Sequence, residues 1–384
     1  MHVLPEAFNL FKMCGFWCPV EYDTWKRILY FIYTATMAVL INSFVISEVI
    51  EIILNHNDVD EVIEITYVLL NKLSALCKIS VILGRRGKII SLLKMLLVEQ
   101  CRPRDSEELR IQKNYDDTAR FVVLFYGSFC LTGASLMVLG PLFEISNNRI
   151  LPFKAWLPYD PQSSTLFVIS YVHQGVAVIC SALMGVATES FVAGLLLQTC
   201  AQLEILQHRL QRLSDSFEGQ NSGSTPLTKC IYHHIYIFKF ADTIQAIFSP
   251  VVFVQFCASS MVIGMSVYQL TKEEISRSEF SSTAIYLFCM MVQILLYCWF
   301  GNEMTIQSIN VGDAAYKMDW MLLDNAARKD ILMLKKRCMI PIKFVSGSLF
   351  TVSIEAFIAI LKVTYSSYNL LQQTADNTKP RLNN

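Results

Sequence analysis

Residues 344–371, FVSGSLFTVSIEAFIAILKVTYSSYNLL, form the stretch from which the organisation of the chain is most directly inferred. A hydrocarbon core about 30 Å thick needs about 20 apolar residues to cross it. As a helix rising 1.5 Å per residue, this stretch would be about 42 Å long. The sequence therefore predicts one helix that spans a membrane and protrudes from it.

Polar side chains follow one side of this predicted helix, because they recur three, four or seven positions apart. They are Ser348, Thr351, Glu355, Lys362, Ser366, Asn369 and Gln372. A charge at the centre of a bilayer costs at least about 2.5–3.5 kcal/mol, so this side should meet protein or water rather than lipid. Two interpretations remain open: the polar side packs against neighbouring helices, or it lines an aqueous path.

The whole chain has the composition of a membrane protein. Of its 384 residues, 53% are hydrophobic and only 17% are charged, below the roughly 25% of an average soluble protein. The formal net charge is zero, which gives no indication of nucleic-acid binding. Seven apolar blocks predict an all-α, seven-transmembrane fold. The blocks are residues 28–53, 62–83, 121–143, 166–200, 236–268, 281–304 and 342–372.

The distribution of lysine and arginine predicts the orientation. With the N-terminus inside, 23 of the 32 fall in inside segments and six in outside segments, and positive residues favour the cytoplasmic side. The predicted division is a cytoplasmic N-terminal segment, six spans, a cytoplasmic anchor helix, a seventh span and an extracellular tail. These cover residues 1–27, 28–304, 305–341, 342–372 and 373–384. No secretory signal peptide is expected in residues 1–27, which are charged before any long apolar run begins.

The inside segments carry apolar residues at helical spacing. Residues 87–98, 202–213 and 314–337 each combine Leu, Ile or aromatic residues with Lys, Arg or Gln. They are either the solvated ends of membrane helices or a cytoplasmic helical layer in which subunits meet. Large apolar faces favour the second interpretation, because such faces are rarely left exposed to water.

At the carboxyl end, an ordered series of short motifs resembles the signature of the insect odorant receptor family. The motifs are Tyr297-Cys298-Trp299-Phe300-Gly301, Ser308, Ala315-Tyr316, Trp320, Pro341, Ser353-x-Glu355-x-Phe357 and Thr364-Tyr365-Ser366-Ser367-Tyr368-Asn369-Leu370-Leu371. Near the start, Cys14-Gly15-Phe16-Trp17-Cys18-Pro19 is similar to the family's Gly-x-Trp-Pro turn before the first span. No single motif is specific; the resemblance lies in their order combined with the inverted seven-span layout.

Two departures narrow the resemblance. Gustatory receptors end in Thr-Tyr, five apolar residues and Gln-Phe. In this chain Leu371-Gln372 takes the place of Gln-Phe, and the residues between it and Thr364-Tyr365 include the polar Ser366, Ser367 and Asn369. The shared odorant receptor co-receptor is longer and has a large second cytoplasmic loop, whereas the loop around residues 214–230 is short. The chain therefore resembles a ligand-specific tuning subunit.

The resemblance implies an activity that the composition alone does not. Members of the family form tetrameric, odorant-gated, nonselective cation channels in the plasma membrane of sensory neuron dendrites. A tuning subunit assembles with the co-receptor, the last span surrounds the pore, and the inner ends of spans four to seven anchor the subunits. The expected partners are the co-receptor, a small apolar volatile odorant, membrane lipids and permeating cations, with no cofactor and no metal.

The same resemblance assigns pore residues to the last helix. Matching Thr364-Tyr365 to the family's tail sets the gate near Tyr368, Leu371 and Gln372, where bulky side chains can close a pore by dewetting. Tyr368 could instead anchor the helix at the lipid interface. Glu355 is a candidate for an inner cation-attracting ring or for a structural hydrogen-bonding partner. Lys362 would repel cations and is expected to turn away from the path.

The odorant pocket is expected in the outer half of the bundle, among spans two, three, four and six. Burial of apolar surface can supply much of the affinity for a volatile ligand, and a few polar groups orient it. Candidates chosen by depth are Tyr67, Asn71, Ser135, Leu139, Tyr171, Gln174, Val178, Tyr286, Met290 and Gln293. Ordinary core packing is the competing interpretation for each.

Other protein classes stay open as alternatives. An enzyme is not expected, because no Ser-His-Asp set, phosphate-binding Gly loop or paired carboxylates are evident. A gustatory-type channel, a G-protein-coupled receptor and a small-solute transporter that uses Glu355 and Lys362 are the rivals. The G-protein-coupled receptor is disfavoured because the predicted outer loops contain no cysteine and the third and seventh spans lack Asp-Arg-Tyr and Asn-Pro-x-x-Tyr.

Overall fold

A computed structural model describes residues 4–19, 22–143, 151–160, 163–213, 224–271, 277–318, 323, 325–347 and 349–378. These residues form ten α-helices, one short 3-10 helix at Glu99–Cys101 and one two-stranded hairpin. The helices are α1 (Pro5–Met13), α2 (Thr24–Leu54), α3 (Val59–Gly84), α4 (Arg86–Met95), α5 (Ser106–Phe143), α6 (Ser164–Gln211), α7 (Ser224–Leu270), α8 (Arg277–Lys317), α9 (Asn325–Cys338) and α10 (Ile354–Thr378). The strands are β1 (Val345–Ser346) and β2 (Phe350–Thr351). The all-α prediction is confirmed.

Six helices, α2, α3, α5, α6, α7 and α8, are long and apolar enough to cross a membrane within the described residues. They correspond to the first six predicted blocks, so the chain is a multi-pass membrane protein. Helix α10 is not among the six. Its 25 residues would reach about 37 Å, at 1.5 Å per residue, but polar side chains lower its hydropathy. A seventh crossing therefore stays a prediction.

Several predicted boundaries fall inside continuous helices. The division at residues 27 and 28 lies within α2, and the division at residues 304 and 305 lies within α8. The predicted anchor segment, 305–341, contains the end of α8 and all of α9, and Trp320 lies outside the described residues. The predicted tail, 373–384, begins inside α10, which continues to residue 378; residues 379–384 are outside the described part.

The prediction of a helix from residue 344 onward was wrong. Residues 345–351 form the hairpin β1–β2, in which Val345 pairs with Thr351 and Ser346 with Phe350, and α10 begins only at Ile354. Gly347 has a φ of +56°, a left-handed conformation that glycine adopts without steric cost. The preference of the Ser-Gly-Ser sequence for a turn outweighed the tendency of the apolar residues around it to continue the helix. Thr351 therefore does not belong to the helical stripe, and Ser348 lies outside the described residues.

Helix α6 is the centre of the bundle. Residues 186–203 of this helix are buried without interruption, and it contacts α1, α2, α3, α5, α7 and α8. A helix that is apolar on all sides is one that other helices surround. By contrast, only 28% of the most apolar part of α2 and of α5 is buried, against 61% for α6. Helices α2 and α5 therefore present most of their apolar side chains to lipid.

The N-terminal helix α1 packs against the middle of α6. The ring of Phe8 lies 5.2 Å from Trp17 and 5.3 Å from Phe191 in edge-to-face contacts. A Cβ at Gly194 would lie 2.6 Å from Leu4 Cδ2, so the missing side chain admits the beginning of the chain. Aromatic contacts of this geometry contribute about 0.5–1.5 kcal/mol each beyond area burial.

A buried arginine connects helix ends on the side of the bundle where α4 and α9 lie. Arg209 of α6 forms two parallel hydrogen bonds of 2.8 Å to the Glu108 carboxylate of α5. Its guanidinium also donates to the carbonyl oxygens of Gln100 (2.7 Å) and Arg102 (2.9 Å). This bidentate arrangement satisfies a buried charge and fixes α5 against α6.

The hairpin closes on α7 and α8 at the base of α10. Ser249 Oγ donates to the Val345 carbonyl at 2.8 Å and accepts from the Gly347 N–H at 2.9 Å. The rings of Phe256 and Phe350 lie 5.1 Å apart. A Cβ added at Gly301 of α8 would lie only 2.6 Å from the Val352 carbonyl oxygen. The hairpin thus lies against the backbone of α8 without an intervening side chain.

We predict that Glu108→Ala destabilises the protein far more than Glu107→Ala. Glu108→Ala leaves the Arg209 charge buried without its carboxylate, a change that costs about 3–5 kcal/mol. Glu107 pairs with Arg110 on an exposed surface, where ion pairs contribute little. The melting temperatures of the two detergent-purified variants measure the difference. Equal melting temperatures would contradict the structural role of the buried pair.

We predict that Gly301→Ala disturbs the junction between α8 and α10. The new methyl group meets backbone rather than a flexible side chain, so the hairpin has to move. Gly84→Ala is the matched control, because a Cβ there meets no atom within 4 Å. Protease sensitivity of the hairpin and thermal stability should change for Gly301→Ala and stay near wild type for Gly84→Ala. A Gly301→Ala protein as resistant as the control would show that the close approach is not constraining.

Candidate functional site

Four helices enclose a cavity in the membrane-spanning part of the bundle. The cavity volume is about 60 Å³, which is enough for a few water molecules. Residues of α3, α5, α6 and α8 line it. They are Val68, Asn71, Lys72, Ala75, Tyr126, Cys130, Gly133, Ala134, Met137, Val178, Ser181, Ala182, Gly185, Glu189, Tyr286, Cys289, Met290 and Gln293. These four helices are the predicted spans two, three, four and six.

Small residues create this space. Gly133 and Ala134 on α5, Ala182 and Gly185 on α6 and Ala75 on α3 all line the cavity with short side chains or none. Longer residues at these positions would fill the gap between helices, as they do elsewhere in the core. The remaining lining is mostly apolar or aromatic, with a few polar groups, which is the usual make-up of a small-molecule site.

A buried polar cluster, consisting of Glu189, Lys78, Tyr126 and Gln293, lies at one side of the cavity. Lys78 Nζ is 2.6 Å from Glu189 Oε1, and both side chains are at most 2% exposed. The Tyr126 hydroxyl donates to Glu189 Oε2, and the Gln293 amide nitrogen donates to Glu189 Oε1. Three donors from α3, α5 and α8 thus converge on one carboxylate of α6, which offsets the cost of burying its charge.

A second buried ion pair lies nearer the beginning of α3. Lys72 Nζ is 2.5 Å from Glu48 Oε1 of α2 and lies 3.5 Å above the ring of Phe44. Phe153, from the segment between α5 and α6, lies 5.4 Å from the same ammonium group. An ammonium group over an aromatic face is attracted by the ring quadrupole. The ion pair fixes α2 against α3 beside the cavity.

Residues 151–160 cover the end of the bundle near this ion pair. The Gln174 side chain forms two 3.2 Å hydrogen bonds to the backbone of Phe153, and the Trp156 N–H donates to the Ser47 carbonyl. Lys154 lies 3.4 Å from Glu61 and 3.1 Å from Glu64. Burial lowers the pKa of Lys154, but the two carboxylates raise it more, so it lies above the usual value. The covering segment is therefore bound to α2, α3 and α6.

Half of the ligand residues predicted from the sequence line the cavity. They are Asn71, Val178, Tyr286, Met290 and Gln293. Tyr67 lies directly behind them, because its ring is 5.5 Å from Tyr286 and its carbonyl accepts the Tyr286 hydroxyl at 3.3 Å. Their contact with a ligand stays a prediction.

The other candidates have different surroundings. Tyr171 donates its hydroxyl to the Val138 carbonyl, and Gln174 holds the covering segment, so both fix neighbouring backbone rather than line the cavity. Ser135 is partly buried and Leu139 is 44% exposed, and neither is part of the cavity wall. These four residues therefore lie outside the cavity wall, and their contact with a ligand stays a prediction.

The ion-paired residues are the part of the site that the sequence interpretation missed. Glu48, Lys72, Lys78 and Glu189 all fall inside apolar blocks, where an ionisable residue marks a functional or structural partner. The presence of these charged residues inside apolar blocks was the sequence signal by which they could have been found. Their pairing was not evident, because Lys78 and Glu189 are separated by 111 positions.

Helix α10 has one face on the bundle and one facing outward. It packs on α7 and α8, and Thr364 is only 5% exposed. Thr364, which the resemblance to the odorant receptors also suggests as a pore residue, therefore lies on the packed face. Glu355 and Lys362 are exposed and, at seven positions apart, share the outward face.

The remaining gate candidates are only partly described. Tyr368 is partly buried. Leu371 and Gln372 lie on the helix, but their side chains are outside the described part of the structure. Glu355 Oε2 accepts the Ser353 hydroxyl at 3.0 Å, at the first turn of α10, which is consistent with the structural alternative for this residue.

Among the described residues, one group has the composition of a cation site. Ligand atoms of Asp105, Glu108 and His208 lie within 4.8 Å of one another. Arg209 already holds both Glu108 oxygens, and Arg212 lies 2.6 Å from Asp105 Oδ2. The carboxylates thus serve these arginines, and the group carries no metal proposal.

The sequence is similar to those of known odorant receptors. The profile of the family described as 7tm Odorant receptor matches residues 58–365. Odorant receptor Or1 of Anopheles gambiae is 20% identical over 94% of this chain and 93% of its own length. Odorant receptor 46a, isoform A, of Drosophila melanogaster is 24% identical over 94% of this chain and 95% of its own length.

A solved structure shares the fold. The insect olfactory receptor OR5 from Machilis hrabei in complex with eugenol superposes with a TM-score of 0.86 over 97% of each chain at 18% identity. A second structure of the insect olfactory receptor OR5 from Machilis hrabei superposes with a TM-score of 0.85. The resemblance inferred from the carboxyl-terminal motifs is confirmed, and since the family profile covers most of the chain, this protein belongs to the insect odorant receptor family.

Proposed function

We propose that this chain is a tuning subunit that binds a small, mostly apolar volatile odorant in the four-helix cavity and opens a nonselective cation channel. The observation that carries the proposal is the course of helix α8. Tyr286, Met290 and Gln293 on α8 line the cavity, and Gly301, farther along the same helix, lies against the hairpin that precedes α10. One rigid element therefore contacts both the ligand site and the base of the proposed pore helix.

The coupling needs only a difference in ligand affinity between two arrangements. A ligand shifts an equilibrium by its differential affinity for the two states, however tightly it binds either. An odorant that fits the cavity better when α8 has moved would favour the arrangement in which α10 has moved as well. The direct packing of α8 on the hairpin supports this route.

The pore is proposed to run along α10, past the exposed Glu355, to a gate at its outer end with Tyr368, Leu371 and Gln372. Exposed polar side chains on α10 support the path, because such a face is costly in lipid. Lys362 shares the exposed face with Glu355, against the expectation that it turns away from the path. Thr364 is proposed to hold α10 against the bundle; Tyr368 and Leu371 follow it by four and seven positions, so the proposed gate continues the side of the helix that Thr364 occupies.

Assembly with the odorant receptor co-receptor into a heterotetramer of the plasma membrane completes the proposal. Support comes from the region around α9, where apolar side chains stand out from the surface. They are Tyr316, Leu332, Met333, Met339 and Ile340. Exposed apolar groups rimmed by charged residues mark interaction sites. In the proposed orientation this region faces the cytoplasm, which agrees with the excess of lysine and arginine on that side.

We predict that the N-terminus is cytoplasmic and the C-terminus extracellular. Epitope tags at the two ends, probed with antibody on intact and on permeabilised cells, measure this orientation. The C-terminal tag should be stained on intact cells and the N-terminal tag only after permeabilisation. An N-terminal tag stained on intact cells would exclude the channel topology and favour a G-protein-coupled receptor.

We predict that Tyr368→Ala raises the resting current or alters ion permeability of the channel formed with the co-receptor. Removing a bulky ring from a narrow apolar gate admits water and weakens closure. Tyr365→Ala is the comparison variant: it removes the same ring from a position about 60° round the helix, on the side where the side chain is 67% exposed, so a larger effect there than in Tyr368→Ala would move the gate assignment to that side. Whole-cell currents without odorant, corrected for surface expression, distinguish the two variants. Unchanged currents and permeability in Tyr368→Ala would refute the gate assignment.

A further inference from the structure

The cavity contains a hydrogen-bond acceptor without a partner. Gln293 is 2% exposed and lines the cavity, and its Oε1 has no hydrogen-bond partner among the described residues. Leaving a buried polar atom unpaired is unfavourable, and such atoms in a native protein usually have a function or a water partner. The cavity is large enough for water.

The polar cluster fixes which atom of the Gln293 amide is left over. The amide nitrogen donates to the Glu189 carboxylate. That carboxylate also receives the Tyr126 hydroxyl and the Lys78 ammonium group, so it acts only as an acceptor. A flipped amide would set its oxygen against a carboxylate oxygen. Gln293 therefore keeps its nitrogen towards Glu189, and its Oε1 is left without a donor among the described residues.

The hydroxyl groups in the wall already have partners. Ser181 donates to the Ala177 carbonyl at 2.7 Å, and Tyr286 donates to the Tyr67 carbonyl at 3.3 Å. Tyr126 is used by Glu189, as described above. These three wall hydroxyls thus donate to protein acceptors, and Gln293 Oε1 is left for a donor supplied by water or by a ligand.

From this arrangement we propose that the ligand class of the cavity is a small volatile compound with a hydroxyl group, which donates its O–H to Gln293 Oε1. The apolar part of the ligand lies against Val178, Ala182 and Met290. A hydroxyl group reproduces the hydrogen bond of the water that it displaces, whereas an ether or a hydrocarbon of the same size does not. This inference rests on the proposed function of the cavity and specifies its ligand.

Glu189 is a positioning residue in this proposal. Both of its oxygens already accept hydrogen bonds, Oε1 from Lys78 and Gln293 and Oε2 from Tyr126, whereas Gln293 Oε1 accepts none. Its effect is to hold the Gln293 amide in one orientation. Discrimination between donor and non-donor ligands thus follows from the orientation that the buried ion pair gives to Gln293.

The test uses matched compounds on the full channel expressed with the co-receptor. One series is hexanol, methyl pentyl ether and heptane, and the other is phenethyl alcohol, benzyl methyl ether and propylbenzene. Within each series the three compounds have the same number of non-hydrogen atoms. We expect the alcohol to act at a concentration about tenfold lower than its ether isomer, which corresponds to about 1.4 kcal/mol.

Two variants separate the hydrogen bond from cavity shape. Gln293→Met keeps the length of the side chain and removes the acceptor, so the preference for alcohol over ether should fall to within about twofold while ether responses persist. Val178→Ala enlarges the cavity without changing a polar group, so all three compounds of a series should shift together and the ratio should stay near wild type. The wild-type ratio tests the inference by itself if Gln293→Met fails to reach the surface.

Three results would overturn the inference: an ether as potent as its alcohol in the wild type, an unchanged alcohol preference in Gln293→Met, or responses to other volatile classes with none to any alcohol. A channel at the surface that stays silent to a broad panel of volatiles contradicts the proposed function itself. The two failures are therefore distinguishable.

Discussion

The membrane-spanning part of this protein depends on the ion pair and the hydrogen bonds that the Glu189 carboxylate forms. This carboxylate is buried on α6, the most enclosed helix, and it is neutralised by an ammonium group from α3 and hydrogen-bonded from α5 and α8. A buried charge is tolerated only when opposite charge and donors surround it. Four helices must therefore come together at this point, and the small residues beside it leave a cavity where they meet.

This requirement links stability to the site. The same four helices that satisfy Glu189 also enclose the cavity, so the groups that hold the bundle together limit how the cavity can change shape. The Arg209–Glu108 pair similarly joins α5 to α6, near the C-terminal end of α6. Both pairs hold α6, and α8 contacts both the cavity and the hairpin, which is the contact on which the proposed coupling rests.

Much of the fold could be predicted from the sequence, for physical reasons that can be named. The six long helices follow from uninterrupted apolar blocks, because a bilayer requires that length. The hairpin at residues 345–351 was missed, because Gly347 and its serine neighbours favour a turn while the surrounding residues are as apolar as those of a span. Depth along the helices led to Tyr286, Met290 and Gln293, which line the cavity. The same argument led to Tyr171 and Gln174, which do not line it, because their partners, the backbones of Val138 and Phe153, depend on how α5 and the covering segment pack.

The hairpin β1–β2 also determines how the beginning of α10 is attached to the bundle. Hydrogen bonds from and to Ser249 fasten the hairpin at the base of α10 to α7. For a rigid helix held at its base, a tilt of about 5° over about 37 Å would displace the far end by about 3 Å. Such a displacement is as wide as a water molecule, so a small change in packing at the hairpin would be geometrically sufficient to move a water-sized distance at the other end of α10.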